Sequence, residues 1–354
     1  MTAIINTDKV KLVSCANAFP NQLIKNDYLL EKLSLLCSKG SVRQARFIAK
    51  RLGIESRYLC RSLDSALSNP SPSAIELSVS AIQQAKSNAP TDVDQFGYLL
   101  SHTATPHTLL PSNAAWISDS LASSSPYMEL RQACTGFASA LQIAVPMLCH
   151  NPNMDPICIV GSETGSVFFD INDEFIDLQQ LINYVQMGDC ASAVILSAMD
   201  DVYQSYISHS FSGHIGIGKP PGFQLLGGGS GQAHCEKGLP FFEHNATHVK
   251  AQGAELFLKG IEVIEQQGYK LADFKYIIPH QANGHIDSLI SQHLNIDKEQ
   301  VVNDAKHWGN LGSAAIWASL TGLIHSNKLS SGDKVLVLGA EATKYMYGGF
   351  IYHH

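Results

Sequence analysis

Residues 96–104, FGYLLSHTA, return as FKYIIPHQA at 274–282. Both read Phe-x-Tyr, two aliphatic residues, a spacer, His, a spacer, Ala. Phe96 and Phe274 stand 178 positions apart, half of the 354-residue chain. ICIVGSET from Ile157 is answered by VLVLGAEAT from Val335 at the same offset. Between them, Cys134-Thr-Gly-Phe-Ala is answered by Asn310-Leu-Gly-Ser-Ala at an offset of 176. Three pairs in one order at nearly one spacing mark a duplicated chain. The reading divides it into related halves, residues 1–205 and 206–354.

Within each half, short apolar runs alternate with helix-like stretches. Residues 99–100, 157–160, 193–196, 276–278 and 335–338 read as buried strands. Residues 74–87, 134–148, 250–266, 284–294 and 312–326 read as helices. That alternation predicts layered α/β architecture. The Gly- and Pro-rich stretch 212–240 reads as a long loop near the boundary between halves. Its Gly227–Gly229 run lacks the Lys-Ser/Thr of a phosphate loop and the strand–helix setting of a dinucleotide fingerprint, so flexible connection is the expectation.

Composition narrows the function. With 45% hydrophobic and 16% charged residues, the chain is expected to bury a large core. A net charge of −7 argues against general nucleic-acid binding. No charged, then apolar, N-terminal segment and no run of roughly 20 apolar residues is seen, so neither a signal peptide nor a membrane partner is expected. Eight scattered cysteines form no CxxC pair, which disfavours a zinc site or disulfide framework and fits a reducing cytoplasm.

The repeat also suggests chemistry. Equivalent points of two related halves often meet near a pseudo-twofold axis, which would bring Cys134 and Asn310 together at helix starts. His280 follows a buried strand, where ligands of α/β sheets gather. A helix N-terminus is expected to lower the thiol pKa of Cys134, and small neighbours leave a substrate carbonyl room to approach. The thiolate would take an acyl group as a thioester. His280 and Asn310 would donate hydrogen bonds to a carbonyl oxygen gaining charge. The Gly348-Gly349 pair would let a backbone N–H approach the acyl oxygen closely. Each residue also has a plain structural reading: a small buried hydrophobe, a satisfied histidine, an N-cap. Their joint pattern favours a site.

QACTGFASAL, IIPHQAN and HWGNLGSAA resemble, in order and spacing, the active-site motifs of the β-ketoacyl-ACP synthase III family of the thiolase superfamily. GIESR (53–57), GSET (161–164), MGDCASAVIL (187–196) and YGGF (347–350) match family motifs as well. The resemblance spans nearly the whole chain. It implies a five-layered αβαβα thiolase fold with two pseudo-symmetric halves, in a homodimer. It assigns Cys134 as the acylated nucleophile, and His280 and Asn310 to decarboxylation of a malonyl-type extender and stabilisation of the enolate. The backbone N–H of Cys134 with that of Gly348 or Gly349 would form the oxyanion hole. The reaction implied is Claisen condensation, with no permanently bound cofactor and no metal.

Substrates of that family arrive on coenzyme A or on the phosphopantetheine arm of an acyl carrier protein. The run SVRQARFIAKRLGIESR carries Arg43, Arg46, Lys50, Arg51 and Arg57. Such a run is commonly a solvated face; the resemblance makes it a site for coenzyme A phosphates or an acidic carrier. Arg51 aligns with an arginine that contacts the adenine nucleotide, and Phe47 with a stacking tryptophan. The chain departs from housekeeping members where Gly284-His285 follows Asn283, and where Leu311-Gly312 follows Asn310. Small Gly284 and Gly312 would then widen the pocket for a bulkier second substrate. That points to a specialised relative, of the kind that joins a β-ketoacyl partner and cyclises the product to a cyclohexanedione, resorcinol or pyrone. An acyltransferase passing the Cys-bound acyl group to a hydroxyl or amine, and fatty-acid initiation from acetyl-CoA and malonyl-ACP, stand as alternatives. A papain-like protease is disfavoured by the absence of paired cysteines. Glu163 and Glu341 occupy matching repeat positions, as structural groups or with one as a base. His102, His107 and His307 are read mainly as structural.

Overall fold

A computed structural model describes residues 1–66, 68–200, 205–235 and 238–354, with Ala246 and Lys250 described in backbone only. Its strands in chain order are β1 Thr2–Ile5, β2 Val10–Ala18, β3 Leu23–Lys25, β4 Ser56–Tyr58, β5 Tyr98–His102, β6 Tyr127–Leu130, β7 Ile157–Glu163, β8 Cys190–Ala198, β9 Tyr206–His214, β10 Phe223–Leu226, β11 Phe241–His244, β12 Tyr276–Pro279, β13 Lys334–Glu341 and β14 Met346–His353. The helices are α1 Asn26–Leu36, α2 Lys39–Leu52, α3 Ala74–Asn88, α4 Asn113–Ser120, α5 Gly136–His150, α6 Leu178–Gln186, α7 Ala246–Gln266, α8 Ile286–Leu294, α9 Ala305–Trp308 and α10 Ala315–His325.

Ten strands form one ladder in the order β12-β13-β14-β9-β2-β8-β7-β5-β6, with β1 added on β9. The two sides of the β9–β2 junction repeat one topology. β5 and β7 are parallel, β7 and β8 antiparallel, β8 and β2 antiparallel. β12, β13, β14 and β9 follow the same sequence of directions. The junction is a short ladder, Val10 with Ile207 and Lys11 with Tyr206.

Burial explains the strand sequences. Every residue of β7 is buried, and Val335–Gly339 of β13 likewise, so these strands read as unbroken apolar runs instead of alternating ones. Helices α5 and α10 are apolar almost all round, as helices covered on every side must be. They lie between the two half-sheets: Phe137, Leu141, Trp317 and Leu320 share one core with Ile159, Val194, Val337 and Phe350. Helices α3 and α4 cover the outer face of one half-sheet, and α7 that of the other. The result is five layers, αβαβα. α3 begins on a capping box in which Ser73 and Glu76 satisfy each other's backbone N–H.

The stretch 212–240 departs from the expected flexible loop. Residues 212–214 end β9, and 223–226 pair with β11 in a hairpin. Phe223 stacks on Phe242 across that hairpin at 4.7 Å. Glu236 and Lys237 of this stretch lie outside the described residues.

Candidate active site

Three loops converge at one end of the central helices. Cys134 precedes α5, Asn310 precedes α10, and His280 follows β12. The Asn310 loop touches the Cys134 loop directly, because the Ser313 hydroxyl donates to the Gln132 carbonyl at 3.4 Å. Gln186 at the end of α6 ties the other pair. Its carbonyl accepts the Asn310 N–H at 2.8 Å, and its side-chain amide donates to the Ala282 carbonyl at 2.8 Å. Gln281 completes the frame: its side-chain oxygen accepts from the N–H groups of Asp304 and Ala305, which open α9 just before Asn310.

Two carboxylates clamp the Cys134 loop and the loop opposite. One Glu341 oxygen accepts from the Thr135 N–H at 3.0 Å and from its hydroxyl at 2.7 Å. One Glu163 oxygen accepts from the Ser313 N–H at 2.9 Å and from its hydroxyl at 2.8 Å. The remaining oxygens take the hydroxyls of Thr343 and Thr105. The clamps cross, so a carboxylate from each half holds the other half's helix start. Glu163 and Glu341 are therefore structural anchors of the two loops. The match of Thr135 to Ser313 also corrects the register read from sequence. The structural partner of Cys134 across the repeat is Gly312, not Asn310.

Cys134 lies outside α5, whose first residue is Gly136, with Thr135 in the cap position. The expected lowering of its pKa is overturned. Burial first, then the charges of Glu341 and Glu163, push the thiol well above the ordinary cysteine value; its own backbone N–H acts weakly the other way. The resting group is a thiol. His280 is held neutral at physiological pH, since burial lowers it to about 4. Its Nδ1 is buried and finds no partner among the described residues. An orphaned N–H there would be costly, which favours the tautomer with the proton on Nε2. The Asn310 side-chain oxygen accepts the Gly312 N–H at 3.1 Å, leaving the amide NH2 to donate elsewhere. Its main chain is fixed by a parallel bridge to Met187 and by the Gly188 N–H, 3.1 Å from its carbonyl.

Other expectations change. Gly348 and Gly349 sit inside β14, in register with Gly339 and Leu338 on one side and with Ser212 and Phe211 on the other. Their smallness serves packing: a Cβ on Gly348 would lie 2.5 Å from the Ala138 methyl, and one on Gly349 2.3 Å from the Val337 carbonyl. Gly284 is fixed by main-chain packing. Its N–H donates to the Leu52 carbonyl at 2.8 Å, and an added Cβ would meet the Gly53 carbonyl at 2.0 Å. Gly312, at φ +51°, abuts the Glu163 carboxylate. Asn283 accepts the His285 N–H at 2.9 Å and shapes the turn into α8.

Arg43, Arg46, Lys50 and Arg51 are exposed along α2, and Phe47 is 66% exposed among them. Lys50 lines a depression of about 350 Å³ with Gly53, Gly284, His285, Lys298 and Lys306. Arg57 leaves the stripe. It is buried, donating to Asn26 at 2.6 Å and to the Val185 carbonyl at 2.8 Å. His102 is fully buried beneath Gly136 and Gly161, and accepts from the Trp317 indole at 3.2 Å. His107 packs edge-on against Trp116, and His307 lies 4.0 Å from Glu55. All eight cysteines are free, and among the described residues no cluster suits a metal and no helix is long and apolar enough to cross a membrane.

Sequence reading missed Gln186 and Gln281 as positioning groups. It also missed Thr135 and Ser313, although their place at the 178-residue offset was a usable signal.

Comparison with known proteins fits this geometry. The profile of 3-oxoacyl-[acyl-carrier-protein (ACP)] synthase III matches residues 128–213, and that of its C-terminal part matches residues 264–352. β-Ketoacyl-[acyl-carrier-protein] synthase III of Clostridium perfringens (strain SM101 / Type A) is 26% identical over 348 residues, covering 94% of this chain and 95% of that one. The Neisseria gonorrhoeae (strain NCCP11945) protein of the same name is 27% identical over 334 residues, covering 93% and 94%. Among solved structures, AbyA1, a tetronic acid condensing enzyme, superposes with a TM-score of 0.84 at 21% identity, covering 98% and 100%. OleA of Xanthomonas campestris, in a cysteine-to-serine form with bound lauric acid and lauroyl-CoA, gives 0.80 at 15%, covering 98% and 99%. With the thiolase fold, both family profiles and relatives matched end to end, the chain belongs to the 3-oxoacyl-[acyl-carrier-protein] synthase III-like family of condensing enzymes, in the acyltransferase class.

Proposed function

We propose that this chain is a ketosynthase of specialised lipid or polyketide biosynthesis. It joins an acyl group held on Cys134 to a malonyl- or β-ketoacyl thioester. The observation that carries this is the convergence of Cys134, His280 and Asn310 on loops tied by Ser313 and Gln186. In the first step Cys134 sulfur attacks the donor thioester. The C–S bond to the carrier breaks, and the thiol proton leaves with the departing thiolate. The backbone N–H of Cys134 is the donor offered to the acyl oxygen. In the second step a malonyl extender loses CO2. The electron pair forms an enolate whose oxygen takes hydrogen bonds from His280 Nε2–H and the Asn310 amide. The enolate carbon then attacks the acyl carbonyl, the new C–C bond forms, and Cys134 leaves and regains a proton. A neutral His280 suits this role, because a donor must stay in place without adding net charge before the enolate exists.

The exposed stripe of Arg43, Arg46, Lys50 and Arg51, with Phe47, supports delivery on coenzyme A or an acyl carrier protein. One end of the ladder is β6, where Tyr127 and Met128 are 47% and 39% exposed, and this supports pairing with a second copy. The mirrored ladders support residues 1–205 and 206–354 as the two domains, in a cytoplasmic enzyme. His285, exposed at the rim, supports the specialised reading, as does the likeness to a tetronic acid condensing enzyme. The names of the curated relatives favour fatty-acid initiation as the second reading.

The test is intact-protein mass spectrometry with a panel of acyl-CoA and β-ketoacyl thioesters, beside Cys134→Ala. A defined acyl adduct lost in the variant is expected. Addition of malonyl- or β-ketoacyl carrier should then discharge it with C–C bond formation. Discharge onto a hydroxyl or amine instead would make the chain an acyltransferase. An adduct from acetyl-CoA alone would restore the initiation role.

A further inference from the structure

A second cavity, of about 350 Å³, opens beside the β9–β14 ladder and is lined by Asn6, Thr7, Asp8, Tyr206, Ser208, His209, Tyr269 and His353. It lies by the first residues of β9 and the last of β14, whereas the Cys134 clamp is at the opposite end of β13 and β14. Three side chains there form one chain of hydrogen bonds. Ser208 Oγ lies 2.8 Å from His353 Nε2 and 2.9 Å from His209 Nδ1. Consecutive strand residues normally point to opposite faces. Ser208 and His209 meet only because β9 bulges here, with His209 at φ +50° and the register slipping opposite Gly349–Ile351. Tyr206 stacks on the His353 ring at 4.1 Å, and Tyr269 meets the His209 ring edge-on at 5.1 Å.

Counting protons gives the arrangement a chemical meaning. Ser208 carries one hydroxyl proton and can donate it to only one imidazole. The other imidazole must then donate to the serine oxygen. Whichever way the hydroxyl turns, one of the outward nitrogens, His353 Nδ1 and His209 Nε2, carries hydrogen and the other does not. Neither outward nitrogen makes a hydrogen bond among the described residues, and neither is sealed from solvent. A carboxylate accepts only, so it cannot satisfy both nitrogens of the neutral pair. It can do so once a single proton has been added, whether that proton sits on the imidazoles or on the carboxyl.

We propose that the His209–Ser208–His353 cluster is a binding site for a small organic carboxylate, which it takes up together with one proton. The charged and titratable groups facing it are Asp8, Tyr206, Tyr269 and Lys334, the last 5.5 Å from the Tyr269 ring centroid. Lys334 favours an anion and opposes protonation of His353, whereas the Asp8 carboxylate on the lining disfavours an anion. In the empty site burial lowers both histidines, His353 to about 4, so the extra proton arrives with the ligand. Tyr206 and Tyr269 supply flat apolar walls for an aromatic or short aliphatic acid.

The test is titration calorimetry on the full chain, with acetate and benzoate as probes and acetamide and benzamide as controls. Each titration is run in two buffers of different ionisation heat, on protein whose Cys134 has first been alkylated. Wild type should take up one proton per carboxylate, and affinity should weaken about tenfold per pH unit above neutrality. Ser208→Ala frees the two imidazoles to turn both N–H groups outward, so it should still bind but take up no proton. His209→Ala should abolish binding while Cys134 in the unalkylated variant is still acylated normally, which shows that the fold is intact. The proposal is overturned by absence of binding with either acid, by binding of the amides as well as the acids, or by wild-type binding without proton uptake. It is equally overturned if Ser208→Ala takes up the same proton, or if binding survives in His209→Ala.

Discussion

At the scale of single residues, Cys134 is the lesson. Its type and neighbours were legible in the sequence, but its protonation was not. The sequence shows a cysteine near a helix start. It does not show that the helix begins two residues later, or that carboxylates from both halves stand close by. Glu341 and Glu163 both raise the thiol, after burial. Removing the Glu341 charge should therefore bring the thiol down and increase the thiolate fraction. Glu341→Gln keeps an oxygen able to accept from Thr135. Iodoacetamide alkylation of Cys134 near neutral pH is expected to run several-fold faster in this variant, with its pH profile moved to lower pH. An unchanged or slower rate would mean that the Glu341 carboxylate does not control the thiol. The partner groups Gln186 and Gln281 stayed hidden for a related reason. A glutamine carries no periodicity or charge signal, and its role exists only where distant loops meet.

At the scale of elements, buried runs and helices were read well because one physical cause wrote them. A strand covered on both faces must be apolar where it crosses the core, and residues 157–160 of β7 and 335–338 of β13 are. The hairpin of β10 and β11 was missed because its signal is weak locally and its stabilising Phe223–Phe242 contact is made across the loop. The contact between the turn that ends α2 and the turn that leads into α8 was also illegible. Gly53 closes α2 in the left-handed conformation at φ +68°, and Gly284 comes against its carbonyl. Neither glycine announces the other. A methyl at 284 would have to displace main chain, not a side chain, so Gly284→Ala should lower stability by about 1–3 kcal/mol. The denaturant midpoint measures this, with acyl chain-length preference followed on the folded fraction. If Gly284 instead lined substrate space, stability would hold and the preference would shorten.

At the scale of the whole molecule, the duplication was plain in sequence and returns as mirrored ladders, while the crossing of the two clamps needed coordinates. Buried titratable groups then set the response to acid, and their signs compete. His102, His280 and His353 are lowered by burial to about 3, about 4 and about 4. Between those values and the ordinary histidine range, the unfolded chain binds protons that the folded chain refuses. Their stabilisation is complete above that range and is lost as pH falls through it. Asp189 is raised to about 6 by burial, and Glu163 is raised as well. These retain protons in the fold that the unfolded chain releases, so they favour folding as pH falls. Each unit of gap is worth about 1.4 kcal/mol per group. Asp304 is raised by burial too, while His209 and His244 are lowered like the other three; five lowered histidines, three of them with wide gaps, outweigh Asp189 with a gap near two units, Asp304 and Glu163. Unfolding free energy from urea titration should therefore decline between neutrality and about pH 4.5, with net proton uptake on unfolding. A level or rising profile there would mean that the buried carboxyls dominate, and that the three histidines are far less desolvated than their surroundings imply.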